Sequence, residues 1–243
     1  MTRTLYLRCA AEDIAGRVLL TGDPARVERI GQVLDSPRWI ARNREFHILT
    51  GHYRGELITA LSSGIGAPSA AIAIEELKLL GAHTVVRVGT TMGISAPLGT
   101  LVLSTGAARF EGTSAAYLPL PYPAVPNWPL SQAIVQVCRA KQQEIHLGLT
   151  ATYDAFYPHM APVLAGRPPA EHNMLKQAGV LALDMETSLL YILGQTLEMA
   201  VTSICAVTVQ AEPFRMLDSD RREQVENQLI HIVLEALTDW TRG

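Results

Sequence analysis

Short β-branched runs alternate with amphipathic helical stretches along most of this 243-residue chain. That alternation is what most constrains the fold, and it implies an α/β architecture with a largely buried sheet. Arg17–Thr21 (RVLLT) reads as a strand. Residues 24–34 read as a helix, with Asp23 as N-cap, Pro24 in the first turn, and Val27, Ile30 and Leu34 on one face. Phe46–Tyr53 and Glu56–Ser62 form an expected hairpin around Arg54-Gly55. A glycine-rich loop, Ser63-Gly64-Ile65-Gly66, then leads into a helix over residues 68–80, closed by Gly81. Further strands are expected at residues 84–89, 101–104, 145–151, 180–184 and 200–206. Further helices are expected at 129–142 and 219–240, the last with Val225, Leu229, Ile232, Val233 and Leu237 on one stripe. The proline-rich stretch 119–129 carries Leu120, Tyr122, Val125 and Trp128, so it reads as a packed surface loop. One domain over residues 1–243 is expected.

Composition narrows the class. Hydrophobic residues are 48% and charged residues 18%, enough for a sizeable core. The net charge is −3 and no run of Lys or Arg forms a basic arm, which argues against nucleic acid as a partner. No stretch reaches the ~18 apolar residues of a membrane span, and the start, MTRTLYLRCAAED, has no apolar segment like that of a signal peptide. Cys9, Cys138 and Cys205 are odd in number and far apart. They fit neither a disulfide framework nor zinc-ligand spacing, and read as small buried side chains in a reducing cytoplasm.

Three features carry chemistry. In Gly22-Asp23-Pro24-Ala25-Arg26 a strand ends, a glycine allows close backbone approach and a helix begins. Free N–H groups at such a start bind anions. Arg26 opposes the helix dipole there, a broken local rule of the kind found at functional sites; the alternative is a surface arginine after a tight turn. Arg87 lies within the apolar run Val85-Val86-Arg87-Val88-Gly89, followed by Thr90 and Thr91. A buried charge needs a partner, either a ligand anion or a structural ion pair. Asp184-Met185-Glu186 follows a short apolar strand and starts a helix. A carboxylate there can hold vicinal hydroxyls, or merely favour the helix start. Together the three describe a phosphate-sized anion site beside a hydroxyl-binding acid.

At this point the chain resembles the nucleoside phosphorylases of the uridine phosphorylase type. The resemblance rests on GDPARVERI (22–30), NREF (43–46), SSGIGAPSAAIAIEELKLLGAHTVVRVGTT (62–91), ARFEGTSAAYLPLPYPAVPN (108–127), ATYDAFYP (151–158) and LDMETSLL (183–190), in that order. It implies a single α/β domain around a distorted, barrel-like mixed sheet flanked by helices. It also implies phosphorolysis: a nucleoside and phosphate give free base and (deoxy)ribose 1-phosphate. By position, phosphate would meet Gly22, Arg26, Arg87 and Thr90, with Arg44 from a neighbouring subunit, and Arg87, Thr90 and Glu186 would carry catalysis. Ribose would meet Thr90, Met185 and Glu186, with Tyr6 where the family has a histidine that reaches a neighbour. Phe156 would lie near the base. The family implies a homo-oligomer, from dimer to hexamer. It needs no cofactor besides phosphate as co-substrate, and a potassium-like cation at Glu45, Ile65 and Ser69 of the dimer interface is a further expectation.

The base side departs from the family. Where uridine phosphorylases follow FYP-Gly with Gln-x-Arg, this chain has Phe156-Tyr157-Pro158 and then His159, Met160, Ala161 and Pro162. An Asn-Arg pair near the base is replaced by Gln210-Ala211. His159 and Gln210 become the candidate base-side polar groups, Met160 suits a flat ring, and uridine is expected to be a poor substrate. A hydrolytic nucleosidase and a non-catalytic binder of nucleosides or sugar phosphates stand as alternatives. The three arginines argue against the first, because hydrolysis needs no phosphate clamp.

Overall fold

The strand β5 (Thr84–Gly93) changes neighbours half-way along, and the rest of the molecule is arranged around that change. The structure, a computed structural model, describes residues 3–168 and 171–240; positions 1, 2, 169, 170 and 241–243 of the expected domain lie outside the described residues. The other elements, in order, are β1 (Arg17–Thr21), α1 (Pro24–Val33), β2 (Asp35–Asn43), β3 (Phe46–Tyr53), β4 (Glu56–Ser62), α2 (Ala67–Leu79), β6 (Leu101–Phe110), α3 (Trp128–Ala140), β7 (Ile145–Tyr153), α4 (His172–Gln177), β8 (Val180–Asp184), α5 (Thr187–Thr196), β9 (Ala200–Gln210), β10 (Arg215–Met216) and α6 (Ser219–Asp239).

The strands make one mixed sheet in the order β10-β9-β6-β7-β8-β5-β1-β4-β3-β2, and an additional β9–β5 pairing closes five of them into a ring. The expected barrel-like α/β domain is therefore what the chain forms. β5 runs parallel to β9 along its whole length, Thr84 beside Ala200 and Gly93 beside Gln210. On its other side, β1 pairs with it only as far as Leu20 beside Arg87. β8 joins it, antiparallel, only from Met92 beside Leu183. Between those points Val88, Gly89, Thr90 and Thr91 face no strand on that side, and the sheet forks.

Helices cover both faces. Val27 and Ile30 of α1, Leu130 and Ile134 of α3, and Val225, Leu229 and Val233 of α6 pack with Leu19, Val86 and Ile204 in one core. Ile74 and Leu77 of α2 and Leu189, Tyr191 and Ile192 of α5 pack with Leu20, Val85 and Val201 in another. Burying such side chains stabilises the fold by about 1.5–3 kcal/mol each. The loop after β6 is held by hydrogen bonds and not by the apolar side chains expected to pack it: Arg109 Nη1 donates to the carbonyls of Pro119 and Tyr122, both at 2.8 Å, and Ala124 bridges to Ala107, while Leu120, Tyr122, Val125 and Trp128 are exposed.

Most expected elements lie within a few residues of their place. β5, β6 and β9 run on past their apolar stretches, to Gly93, Phe110 and Gln210. β2 was not expected. Its sequence DSPRWIARN is mostly exposed and contains Pro37, as a strand at the end of the sheet order permits, so it carries no alternating signal.

Candidate active site

The fork opens into a cavity of about 640 Å³, whose polar lining includes Gly22, Arg26, Arg87, Thr90, Asp184 and Glu186. Its apolar lining includes Met92, Phe156, Met160, Met185 and Val209. Each charged group arrives for a local reason. β1 ends at Thr21; Asp23 caps α1 by accepting from Ala25 N at 2.9 Å, which turns the chain sharply at Gly22. A Cβ at Gly22 would stand 3.2 Å from the Gly64 carbonyl, so the two glycine segments approach closely there. Gly64 and Gly66 take positive φ angles of 71° and 98°, which a side chain would strain. Gly66 thereby becomes the N-cap of α2, and its N–H donates to Glu186 Oε1 at 2.6 Å.

Arg87 is 5% exposed. Its Nη2 donates to Glu186 Oε2 and its Nε to Asp184 Oδ2 at 3.4 Å. A Cβ on residue 89 would collide with the Arg87 guanidinium, so glycine there leaves room for it. Burial works against the charge on Arg87, but Glu186 outweighs it and raises the guanidinium pKa further above its usual value. Burial also pushes the Glu186 carboxyl upward, with Arg87 opposing. Asp184, expected at most as a cap, anchors the group: it accepts from Thr152 Oγ1 at 2.8 Å and from Thr187. Of the two partners that the sequence allowed for Arg87, the structure shows the ion pair, and the residue also lines the cavity.

Arg26 is not a surface arginine, which was the alternative to a place in the anion site. It is 2% exposed. Its Nη1 donates to Thr21 Oγ1 at 2.7 Å and to the Val88 carbonyl at 3.3 Å, filling the fork, and its Nη2 meets Glu226 Oε1 at 3.0 Å. Glu226, on α6, escaped the sequence reading because a single acid among the many charges of an amphipathic helix gives no signal. Burial would raise its pKa, but Arg26, Arg222 and Arg29 lower it to about 2.

Gly22, Arg26, Arg87, Thr90, Phe156, Met185, Glu186 and Ile65 of the expected set share this one cavity, as does Met160. Six others lie outside its lining. Arg44 sits in the β2–β3 turn, its guanidinium 5.8 Å from the ring of Tyr6, and Tyr6 packs edge-on against Phe46. Glu45 and Ser69 meet each other instead, Ser69 Oγ donating to Glu45 Oε1 at 3.0 Å. His159 stacks on Tyr153 at 5.1 Å and bonds Glu171 through Nδ1 at 3.2 Å. Gln210 turns back, its amide donating to the Gly93 carbonyl at 3.2 Å. The expected base-side polar groups are therefore spent on the scaffold. Unexpected wall residues are Met92, Thr208, Val209 and Arg222. A second cavity, of about 590 Å³ around Pro126, Tyr191 and Trp240, is lined by no arginine or lysine among the described residues.

Residues 17–238 match the model of the phosphorylase superfamily. The chain belongs to that superfamily. It is 39% identical to the uridine phosphorylase of Thermococcus kodakarensis over 209 residues, covering 83% of this chain and 76% of that one. It is 34% identical to the guanosine phosphorylase of Halorubrum lacusprofundi over 98% of this chain and 99% of the relative. The crystal structure of uridine phosphorylase from Vibrio fischeri superposes with a TM-score of 0.90 at 31% identity, with 99% of each chain covered. By family, relatives and fold alike it is a uridine phosphorylase-like enzyme of the pentosyltransferase kind. Among the described residues no helix is long and apolar enough to cross a membrane.

Proposed function

We propose that this enzyme cleaves the N-glycosidic bond of a nucleoside with inorganic phosphate, and that its base preference has moved away from uracil. The observation that carries the first part is the Arg87–Glu186 pair on one cavity wall, beside Gly22, Arg26 and Thr90. Phosphate and Glu186 compete for the same guanidinium. A phosphate that takes Arg87 frees the Glu186 carboxylate, which then accepts from the ribose hydroxyls and holds the ring against the nucleophile. As the bond from C1′ to the base nitrogen breaks, its electron pair leaves with the base and the sugar becomes oxocarbenium-like. The bound phosphate stabilises that cation and its oxygen closes the new bond to C1′. The phosphate proton balances the departing base.

The second part rests on the apolar wall of Met92, Phe156, Met160 and Val209, and on the engagement of His159 and Gln210 elsewhere. Hydrogen-bonded discrimination falls steeply when the readers are missing. The guanosine phosphorylase relative shows that bases other than uracil are served by proteins this similar.

A homo-oligomer, dimer to hexamer, belongs to the proposal, because Arg44 and Tyr6 lie outside the cavity of their own subunit and would complete a neighbour's. The cation proposed at Glu45, Ile65 and Ser69 would sit on that same contact. A cytoplasmic setting fits the three free, buried cysteines.

The test is a panel of purine and pyrimidine nucleosides with and without phosphate, scored for free base and ribose 1-phosphate. Both products should appear only with phosphate, and uridine should not be the best substrate. Base release without phosphate would establish hydrolysis instead. Nucleoside binding with no product would establish a binding protein.

A further inference from the structure

The charged residue among the unexpected wall residues is Arg222, near the start of α6. We propose that Arg222 binds the incoming phosphate directly, with Glu226 as the positioning residue that aims it. The inference rests on the reading of this cavity as a phosphate site and adds a residue to it.

Glu226 is 1% exposed and serves three guanidinium groups. Oε1 accepts from Arg26 Nη2 at 3.0 Å and Arg222 Nε at 2.8 Å; Oε2 accepts from Arg26 Nε at 3.2 Å and from Arg29 Nη2. One negative charge thus stands among three positive ones, beside an open cavity. Arg29 is not in the cavity lining, and its buried Nε has no partner among the described residues. The surplus positive charge stands partly exposed on Arg222 at the cavity, where an anion would complete it.

The three arginines differ in what they have left to give. Arg26 has spent Nε, both directions of Nη1 and part of Nη2 on Glu226, Thr21 and Val88. Arg222 has spent only Nε. Its Nη1 and Nη2 donate to nothing among the described residues, and the residue lines the cavity with a side chain 45% exposed. Four N–H groups in a planar fork are what a phosphate accepts in pairs. The spacing of four residues to Glu226 keeps that fork on the cavity side of α6. A positive side chain so near a helix N-terminus also opposes the helix dipole, which a bound anion would relieve.

The test compares the wild type with Arg222→Met, which keeps the length of the side chain and removes its donors, and with Arg222→Lys. The expected result for Arg222→Met is a phosphate KM raised about tenfold or more, with nucleoside KM and kcat within about twofold. Calorimetric titration with inorganic phosphate alone should show the same loss, and Arg222→Lys should recover part of it. Unchanged phosphate affinity in Arg222→Met overturns the inference. So does a variant whose nucleoside KM, kcat and melting temperature all move together, which marks a structural role. A wild type that neither binds phosphate nor releases base in its presence would overturn the reading of the cavity itself, a result distinct from either.

Discussion

The two walls of the cavity are built by different means. The polar wall, the one proposed for phosphate, is made of strand ends and helix starts, and its charges are held in place by other charges: Arg87 by Asp184 and Glu186, Arg26 by Glu226. The base wall is made of side chains that touch without directional bonds, two of them on the short turn Phe156–Met160. A wall held by ion pairs tolerates little change, since removing one partner strands a buried charge. A wall of methionines and a phenylalanine can be remodelled one residue at a time. The contrast fits the proposed function, in which the arginines implied by the resemblance are kept while the positions implied to read uracil are changed.

The largest effect that would break this contrast is expected at Arg87. Arg87→Met should lower kcat/KM at least ~10³-fold, of the order seen when a main electrostatic contact to the transition state is removed. It should also destabilise the fold by about 3–5 kcal/mol, because Asp184 and Glu186 are left as neighbouring buried carboxylates. Phosphorolysis assays with a denaturant titration check both, and a fully stable variant would show that the phosphate wall is no more interlocked than the other. On the base wall, Phe156→Ala should raise nucleoside KM about tenfold through lost ring contact, leave phosphate KM unchanged and cost little stability. A parallel rise in phosphate KM would erase the distinction between the walls. The smallest effect is in acid. Glu226 is held near a pKa of about 2. A carboxyl lowered on folding stabilises the protein fully above its unfolded value and loses that contribution as pH falls from about 4.5 toward 2. Allowing for solvent screening at the half-exposed Arg222, that is about 2 kcal/mol, measurable as the difference between wild type and Glu226→Gln in melting temperature across that range.

Legibility in the sequence followed the same division. Gly22, Arg26 and Arg87 could be read because each breaks a local rule: a glycine at a strand end, a cation at a helix start, a charge in an apolar run; Thr90 and Glu186 stand at strand ends, and their roles came with the resemblance. Phe156 and Met185 came with the resemblance. Asp184 and Glu226 were opaque, since an acid at a helix start or on an amphipathic face is ordinary until its partner from a distant segment is known. His159 and Gln210 look chemically capable in sequence. Which way they turn depends on Tyr153 and Glu171 around His159 and on the Gly93 carbonyl, which the β5–β9 pairing brings beside Gln210. β2 was lost because an exposed strand at the sheet's edge needs no apolar face.

The fork in the sheet has one more implication. Where β5 has parted from β1 and not yet met β8, a vacancy exists in the backbone itself, before any side chain is chosen. The hollow is inherited with the topology, and residues such as Arg87, Phe156 and Arg222 are furnishings around it. A lineage can exchange the furnishings on one side, and so change what is cleaved, without having to invent a cavity again.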